Sequence, residues 1–178
     1  MMDQKQEDPS ERCLADEFIA NLQGADDRAR DYLTLGCVSE GEKDWDSAIA
    51  NYRLALAAVP TNAFLQYFSN NNLGFSLIQQ GWFAEAEGYC IAAIEIDPSR
   101  HNAHKNLGLV RQGQGRLLDA AFCFVSAYRL RPGDERALSH LEQLVTANPQ
   151  LLMCSDRLRQ EFAFLSGATD GSGCRHVH

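Results

Sequence analysis

"NNLGFSLIQQGWFAEAEGYCIAAIEIDP", residues 71–98, sets Gly74, Gly81, Ala86 and Ala93 where two helices would have to touch, and it stops at Pro98. Residues 72–98 lie without a gap over "NLGLVRQGQGRLLDAAFCFVSAYRLRP", residues 106–132, at an offset of 34. Leu73 then falls on Leu107, Gly74 on Gly108, Gly81 on Gly115, Ala86 on Ala120, Ala93 on Ala127 and Pro98 on Pro132. A third copy, "YLTLGCVSEGEKDWDSAIANYRLALAAVP", runs from 32 to 60 and puts Leu35, Gly36, Ala48, Tyr52, Ala55 and Pro60 in the same places. Pro60 and Pro98 are 38 apart, so four extra residues near "TNAFLQYF" lengthen that junction.

Each copy reads as two helices of apolar periodicity joined by a short polar turn, as in "QQGWFAEA" and "GQGRLLDA". Glycine inside a helix costs about 1 kcal/mol relative to alanine. Gly74 and Gly108 therefore need a packing reason: without a side chain, the second helix of the pair can approach. Pro60, Pro98 and Pro132 have no amide hydrogen and clash with a preceding carbonyl, so each second helix ends before them. Tyr52, Leu56, Leu77, Phe83, Ile94, Phe124 and Tyr128 are the candidates to fill the space between neighbouring helices. One helix pair alone leaves apolar surface uncovered, and about three copies are needed for stability. The chain has three.

The spacing and residues over 29–134 resemble the tetratricopeptide repeat (TPR) family, whose period is 34. The resemblance implies an all-α solenoid of three helix hairpins, with an N-terminal helix and one or two C-terminal capping helices. The boundaries that follow are an N-terminal helix at 9–28, repeats at 29–62, 67–100 and 101–134, an insertion at 63–66 and capping helices at 135–166. Residues 1–8 and 167–178 are expected to be disordered. In this family the first helix of every pair lines a concave face. By phase, that assigns Leu33 and Cys37 in the first copy, and Phe68, Asn71, Asn72, Phe75 and Ile78 in the second. The third copy supplies Asn102, Lys105, Asn106, Leu109 and Gln112.

Asn72 and Asn106 stand one period apart. Each amide has donors and an acceptor, suited to holding the backbone of an extended peptide, with Phe68, Phe75, Ile78 and Leu109 offering apolar pockets. The alternative is that these asparagines only tie neighbouring helices together and that the leading helix covers the apolar set. Carboxylate-clamp members of the family hold an acidic peptide end with Lys, Asn and Arg. Here Leu33, Cys37, Asn102 and Asn106 depart from that pattern and only Asn72 matches, which argues against binding of chaperone tails of that type. Chaperones of type III secretion translocators are similar in size, acidic leading helix and repeat number. They are the alternative family analogy, beside a self-associating scaffold.

The bulk composition agrees with a protein-binding role. At 178 residues, 45% hydrophobic and 22% charged, the chain is globular in composition. A net charge of −8 and the lack of a Lys/Arg run argue against nucleic acid. Half of that excess lies in residues 1–30, with eight acids against four bases. No stretch approaches the ~20 apolar residues of a membrane span, and "MMDQKQEDPSER" is acidic where a signal peptide is basic and then apolar. A cytoplasmic protein with no membrane partner is expected. The cysteines Cys13, Cys37, Cys90, Cys123, Cys154 and Cys174 are scattered without a C-x-x-C pair, which points to reduced thiols.

At the ends, "PSERCLADEFIANLQG" (residues 9–24) reads as a helix with Leu14, Phe18 and Leu22 on one stripe, joined by Ile19. It is suited to packing on the first repeat, lying in the groove or mediating self-association. Asp134 is placed to cap a helix carrying Leu138, Leu141 and Val145. Asn148 and Pro149 are placed to open another, with Leu151, Leu158, Phe162 and Leu165 striping its inner side. Catalysis finds little: His101, His104 and His140 lack a nucleophile or carboxylate partner readable from spacing, and no phosphate-binding loop is present. Cys174, His176 and His178 in "CRHVH" alternate as weak soft-metal ligands would, but a mobile tail is the plainer reading. No enzyme activity, cofactor or metal is expected.

Overall fold

The computed structural model describes the backbone of residues 9–167 and the side chains of residues 20–167. Among the described residues there are only helices: α1 (Pro9–Gly41), α2 (Trp45–Ala57), α3 (Ala63–Gln79), α4 (Phe83–Ile96), α5 (His101–Gly113), α6 (Leu117–Leu130), α7 (Glu135–Ala147), α8 (Gln150–Cys154) and α9 (Asp156–Leu165). They pair as hairpins α1–α2, α3–α4 and α5–α6, and α2 packs on α3 and α4 on α5. The first helices α1, α3 and α5 lie side by side, so they share one face of the stack. Six of the seven large residues assigned to the interior go there: Tyr52, Leu77 and Phe124 are fully buried, and Leu56, Phe83 and Ile94 pack against the core, whereas Tyr128 is half-buried beside Phe164 and Leu165.

The glycines explain how closely the hairpins close. A Cβ built on Gly36 would lie 2.4 Å from the Tyr52 ring, one on Gly108 2.5 Å from the Phe124 ring, and one on Gly74 2.8 Å from Cys90 Sγ. In each hairpin the residue sixteen positions further on occupies the space that a side chain would need. The turns use a second glycine: Gly81 and Gly115 have φ of 76° and 77°, in the left-handed region that glycine enters without steric cost. In the first hairpin the same turn position is Lys43, with φ 61°.

Three boundaries differ from the sequence expectation. A leading helix at 9–28 separate from the first repeat does not occur, because α1 runs unbroken through residue 41; "QGADDRAR" contains no proline and Gly24 alone does not stop it. Residues 63–66 form the first turn of α3, with Asn62 accepting from the Phe64 and Leu65 amides, so the insertion lengthens a helix and adds no loop. At the C-terminus there are three helices after the repeats. Asn148 closes α7, its Nδ2 donating to Leu144 O at 2.9 Å, and Ser155 starts α9 by accepting from the Leu158 amide. Asp134 does cap α7, accepting from the Arg136 amide. Leu151 and Leu158 are buried in a core shared with α6 and α7, with Phe162 and Leu165 packed beside them. The side chains of Leu14, Phe18 and Ile19, and the segments 1–8 and 168–178 with the "CRHVH" motif, lie outside the described residues.

Candidate interaction site

A cavity of about 190 Å³ opens on the face shared by the first helices, lined by Glu40, Asn71, Asn72, Phe75, Asn102, Lys105, Asn106 and Arg136. α3 supplies Asn71, Asn72 and Phe75, and α5 supplies Asn102, Lys105 and Asn106; each set spans successive turns on one side of its helix. The end of α1 contributes Glu40 and the start of α7 Arg136.

The amides are partly consumed in holding the helices together. Asn106 Nδ2 donates to Asn71 Oδ1 at 3.1 Å and to Asn71 O at 3.4 Å, linking α5 to α3. Asn71 Nδ2 donates to Asn72 Oδ1 at 2.9 Å. Asn72 Nδ2 in turn reaches the Tyr52 hydroxyl at 3.5 Å and Cys37 Sγ at 3.7 Å. This relay touches four helices, α5, α3, α2 and α1. Asn106 is only 3% exposed, so its amide works inside the stack, whereas Asn72 and Asn102 keep part of their surface open.

Three charged groups tune the cavity. Glu40 Oε2 accepts from the Tyr52 hydroxyl at 2.8 Å, and burial raises the Glu40 pKa above its ordinary value. Lys105 is 9% exposed and makes no hydrogen bond or ion pair among the described residues; burial, then the nearby Arg136 charge, lower its pKa. Arg136 is held by Asp134, Nε donating to Oδ1 at 2.8 Å. Asp134 also accepts from His101 Nε2 at 2.8 Å. The Arg136 bond, first among the causes, holds the Asp134 carboxyl well below the usual carboxylate range. Burial keeps His101 below its ordinary value, so the imidazole is a neutral donor to Asp134.

Further along the same helices, Ile78, Phe83, Leu109, Gln112, Gly113 and His140 surround a second, more apolar hollow of about 420 Å³. Of the sequence-assigned residues, Asn71, Asn72, Phe75, Asn102, Lys105 and Asn106 meet in the polar cavity, and Ile78, Leu109 and Gln112 meet in the apolar one. Leu33 is instead part of the core of the first hairpin, and Cys37 sits beside the cavity as an acceptor. Phe68 is not in the groove. The extra turn of α3 brings Phe64 against it, ring centroids 4.4 Å apart, and the Arg100 guanidinium lies 5.0 Å over its ring.

Sequence reasoning missed Glu40, Arg136, Phe83 and His140. Glu40 has the phase of Ile78 and Gln112 and was readable from the repeat, whereas Arg136 belongs to α7 and needed the packing of that helix. The other two histidines are occupied structurally: His104 Nε2 meets Pro98 O at 2.9 Å, and His140 stacks on Phe124. Among the described residues, no cluster of three or more His, Cys, Asp or Glu side chains is placed to hold a metal, and no helix is long and apolar enough to cross a membrane.

A succession of helix hairpins with a recessed face formed by their first helices is the architecture of a protein-interaction solenoid. The tetratricopeptide repeat model matches residues 69–100. The small glutamine-rich tetratricopeptide repeat-containing protein 2 of Saccharomyces cerevisiae is 30% identical over 93 residues, covering 52% of this chain and 26% of that protein. The chain thus spans about a quarter of the length of this curated relative. Among solved structures, the TPR domain of Arabidopsis OM64 superposes with a TM-score of 0.63 at 23% identity, covering 69% of this chain and 98% of that one. The second TPR domain of human RPAP3, solved in complex with the HSP70 peptide SGPTIEEVD, gives 0.58 at 26% identity, covering 68% and 96%. Residues 69–100 thus carry a tetratricopeptide repeat, and the chain shares the fold of solved TPR domains.

Proposed function

We propose that this chain is a non-enzymatic adaptor that takes a segment of a partner protein into the face formed by α1, α3, α5 and α7. The observation that carries the reading is the adjacency of a polar cavity and an apolar hollow along α3 and α5. Directional hydrogen bonding and side-chain burial are then available to one bound segment. The likeness to a domain solved with a bound peptide supports the same use of the face. The acidic chaperone tails are not the ligand we assign, because Leu33 is buried, Cys37 is engaged by Tyr52 and Asn72, and Asn106 is spent on Asn71. The four free thiols described suit a reducing compartment, and we place the protein in the cytoplasm.

The test is a comparison of proteins retained from native extract by the intact chain and by an Asn102→Ala, Leu109→Glu double variant with unchanged helicity and melting. Loss of particular proteins with the variant is expected. Identical retention by both would overturn the assignment of the face.

A second reading, self-association, rests on Phe164, which is 78% exposed beside Tyr128, Pro132 and Leu165. Light scattering decides it: Phe164→Asp should lower the molar mass, and a monomer before and after would remove the idea.

A further inference from the structure

The polar cavity has opposite charges on opposite walls, and they do not pair with each other. Glu40 stands on α1 and Lys105 on α5, with α3 between them, and no ion pair joins the two. Glu40 has one oxygen on the Tyr52 hydroxyl. The Lys105 ammonium has no partner among the described residues, although the side chain is buried to the point of 9% exposure. Arg136, next to it, is already neutralised by Asp134. Charges partly drawn out of water without an ionic partner are costly, and a ligand that supplies both partners recovers that cost. Burial acts on both groups in the direction this predicts, disfavouring the charged carboxylate and the charged ammonium alike.

Resting on the adaptor reading above, we propose that the cavity is a two-ended ionic socket for a peptide segment that presents a basic side chain to Glu40 and an acidic one to Lys105. Asn72 and Asn102 serve the peptide backbone between the two ends. Neighbouring helix axes lie about 8–10 Å apart, so α1 and α5 are separated by about 16–20 Å. Glutamate and lysine reach into that gap from both sides and leave a span of about two extended residues at ~3.3 Å each. The ligand pattern is therefore basic-x-acidic, with its two charged side chains on one side of an extended strand. A purely acidic segment is repelled by Glu40, and a purely basic one by Lys105.

The experiment titrates the isotopically labelled full chain with three capped pentapeptides, Gly-Lys-Ala-Glu-Gly, Gly-Glu-Ala-Glu-Gly and Gly-Lys-Ala-Lys-Gly, following the side-chain amide signals of Asn72 and Asn102. The mixed peptide should bind at least tenfold more tightly than either single-sign peptide. Glu40→Gln should remove most of its advantage over the acidic one. Lys105→Met should weaken it about tenfold, and circular dichroism reports whether each variant is folded; Glu40→Gln suffices where Lys105→Met is not. Equal binding of the acidic and mixed peptides would overturn the socket while leaving the adaptor reading intact. Failure of all three peptides to move those signals would also overturn it, and the extract comparison would still judge the adaptor reading separately.

Discussion

Tyr52 and Phe124 close the first and third hairpins by laying a ring over a glycine of the partner helix, whereas the middle hairpin has only the thiol of Cys90 over Gly74. All three fillers are fully buried, and burial pushes the Cys90 thiol up to about 12, so it behaves as a small apolar group. The repeat thus prescribes the gap and leaves the filler open. A ring cannot retreat without vacating the core, while a single sulfur can turn about its χ1 bond. The outer seams also differ from each other: Phe124 is purely apolar, but Tyr52 extends its hydroxyl to Glu40 and the asparagine relay. Closure of the first hairpin and the shape of the cavity are therefore one structural event.

This contrast is broken most directly at the glycines. Overpacking a filled core costs about 1–3 kcal/mol, and the better helix propensity of alanine returns about 1. Gly36→Ala and Gly108→Ala should each lower stability by about 1–2 kcal/mol in chemical denaturation, and Gly74→Ala by less than about 1 kcal/mol. Equal losses at the three sites would show that thiol and ring yield alike. Gly36→Ala alone should also shift the Asn72 side-chain amide signal, since its Cβ displaces Tyr52.

A smaller change separates the ring from its hydroxyl. Tyr52→Phe keeps the seam filled but leaves Glu40 without its donor, a loss of about 1.5 kcal/mol for a bond to a charged group. Burial raises the Glu40 pKa in the folded state, so its contribution to stability is fully present below the ordinary value of 4.5 and is lost as pH rises through the raised value. The deficit of Tyr52→Phe should accordingly be larger at pH 7 than at pH 3.5, where a protonated Glu40 no longer needs a donor. A deficit independent of pH would mean that the hydroxyl serves packing alone.

The turns sharpen the comparison further. Lys43 occupies with φ 61° the position where the other hairpins have Gly81 and Gly115, so Lys43→Gly should stabilise the chain by about 0.5–1 kcal/mol. Gly115→Lys should cost a similar amount, and melting curves of the two variants decide it. Asp134→Asn should lower the melting temperature at neutral pH, since asparagine can still cap α7 but gives up the carboxylate's bonds to Arg136 and His101. Asp134 is held below its unfolded value near 3.8, so it contributes stability above that value that is lost as pH falls through the lower folded one. In the variant, the decline in melting temperature between pH 4 and pH 2 should be shallower.

Much of the face shared by α3 and α5 was legible because it inherits the repeat phase: Asn71, Phe75, Ile78 and their counterparts on α5 turn to one side for the same reason that Gly74 and Gly108 turn to the other. Phe68 shows where phase fails. It shares the phase of Asn102, yet the added turn of α3 sets Phe64 four residues before it and Arg100 covers both rings. Asn106 shows a second limit, since an amide at the right phase is equally able to bind a ligand or a neighbouring helix, and the distance to Asn71 chooses the latter.

Sequence alone determined the hairpins, because a helix period, a missing Cβ at a seam and a proline after it are local or strictly periodic properties of the chain. The tertiary structure decided which of the exposed polar groups remain available. Whether Asn72, Lys105 or Glu40 meets a ligand depends on distances across α1, α3, α5 and α7, and those are set by the packing of helices far apart in sequence.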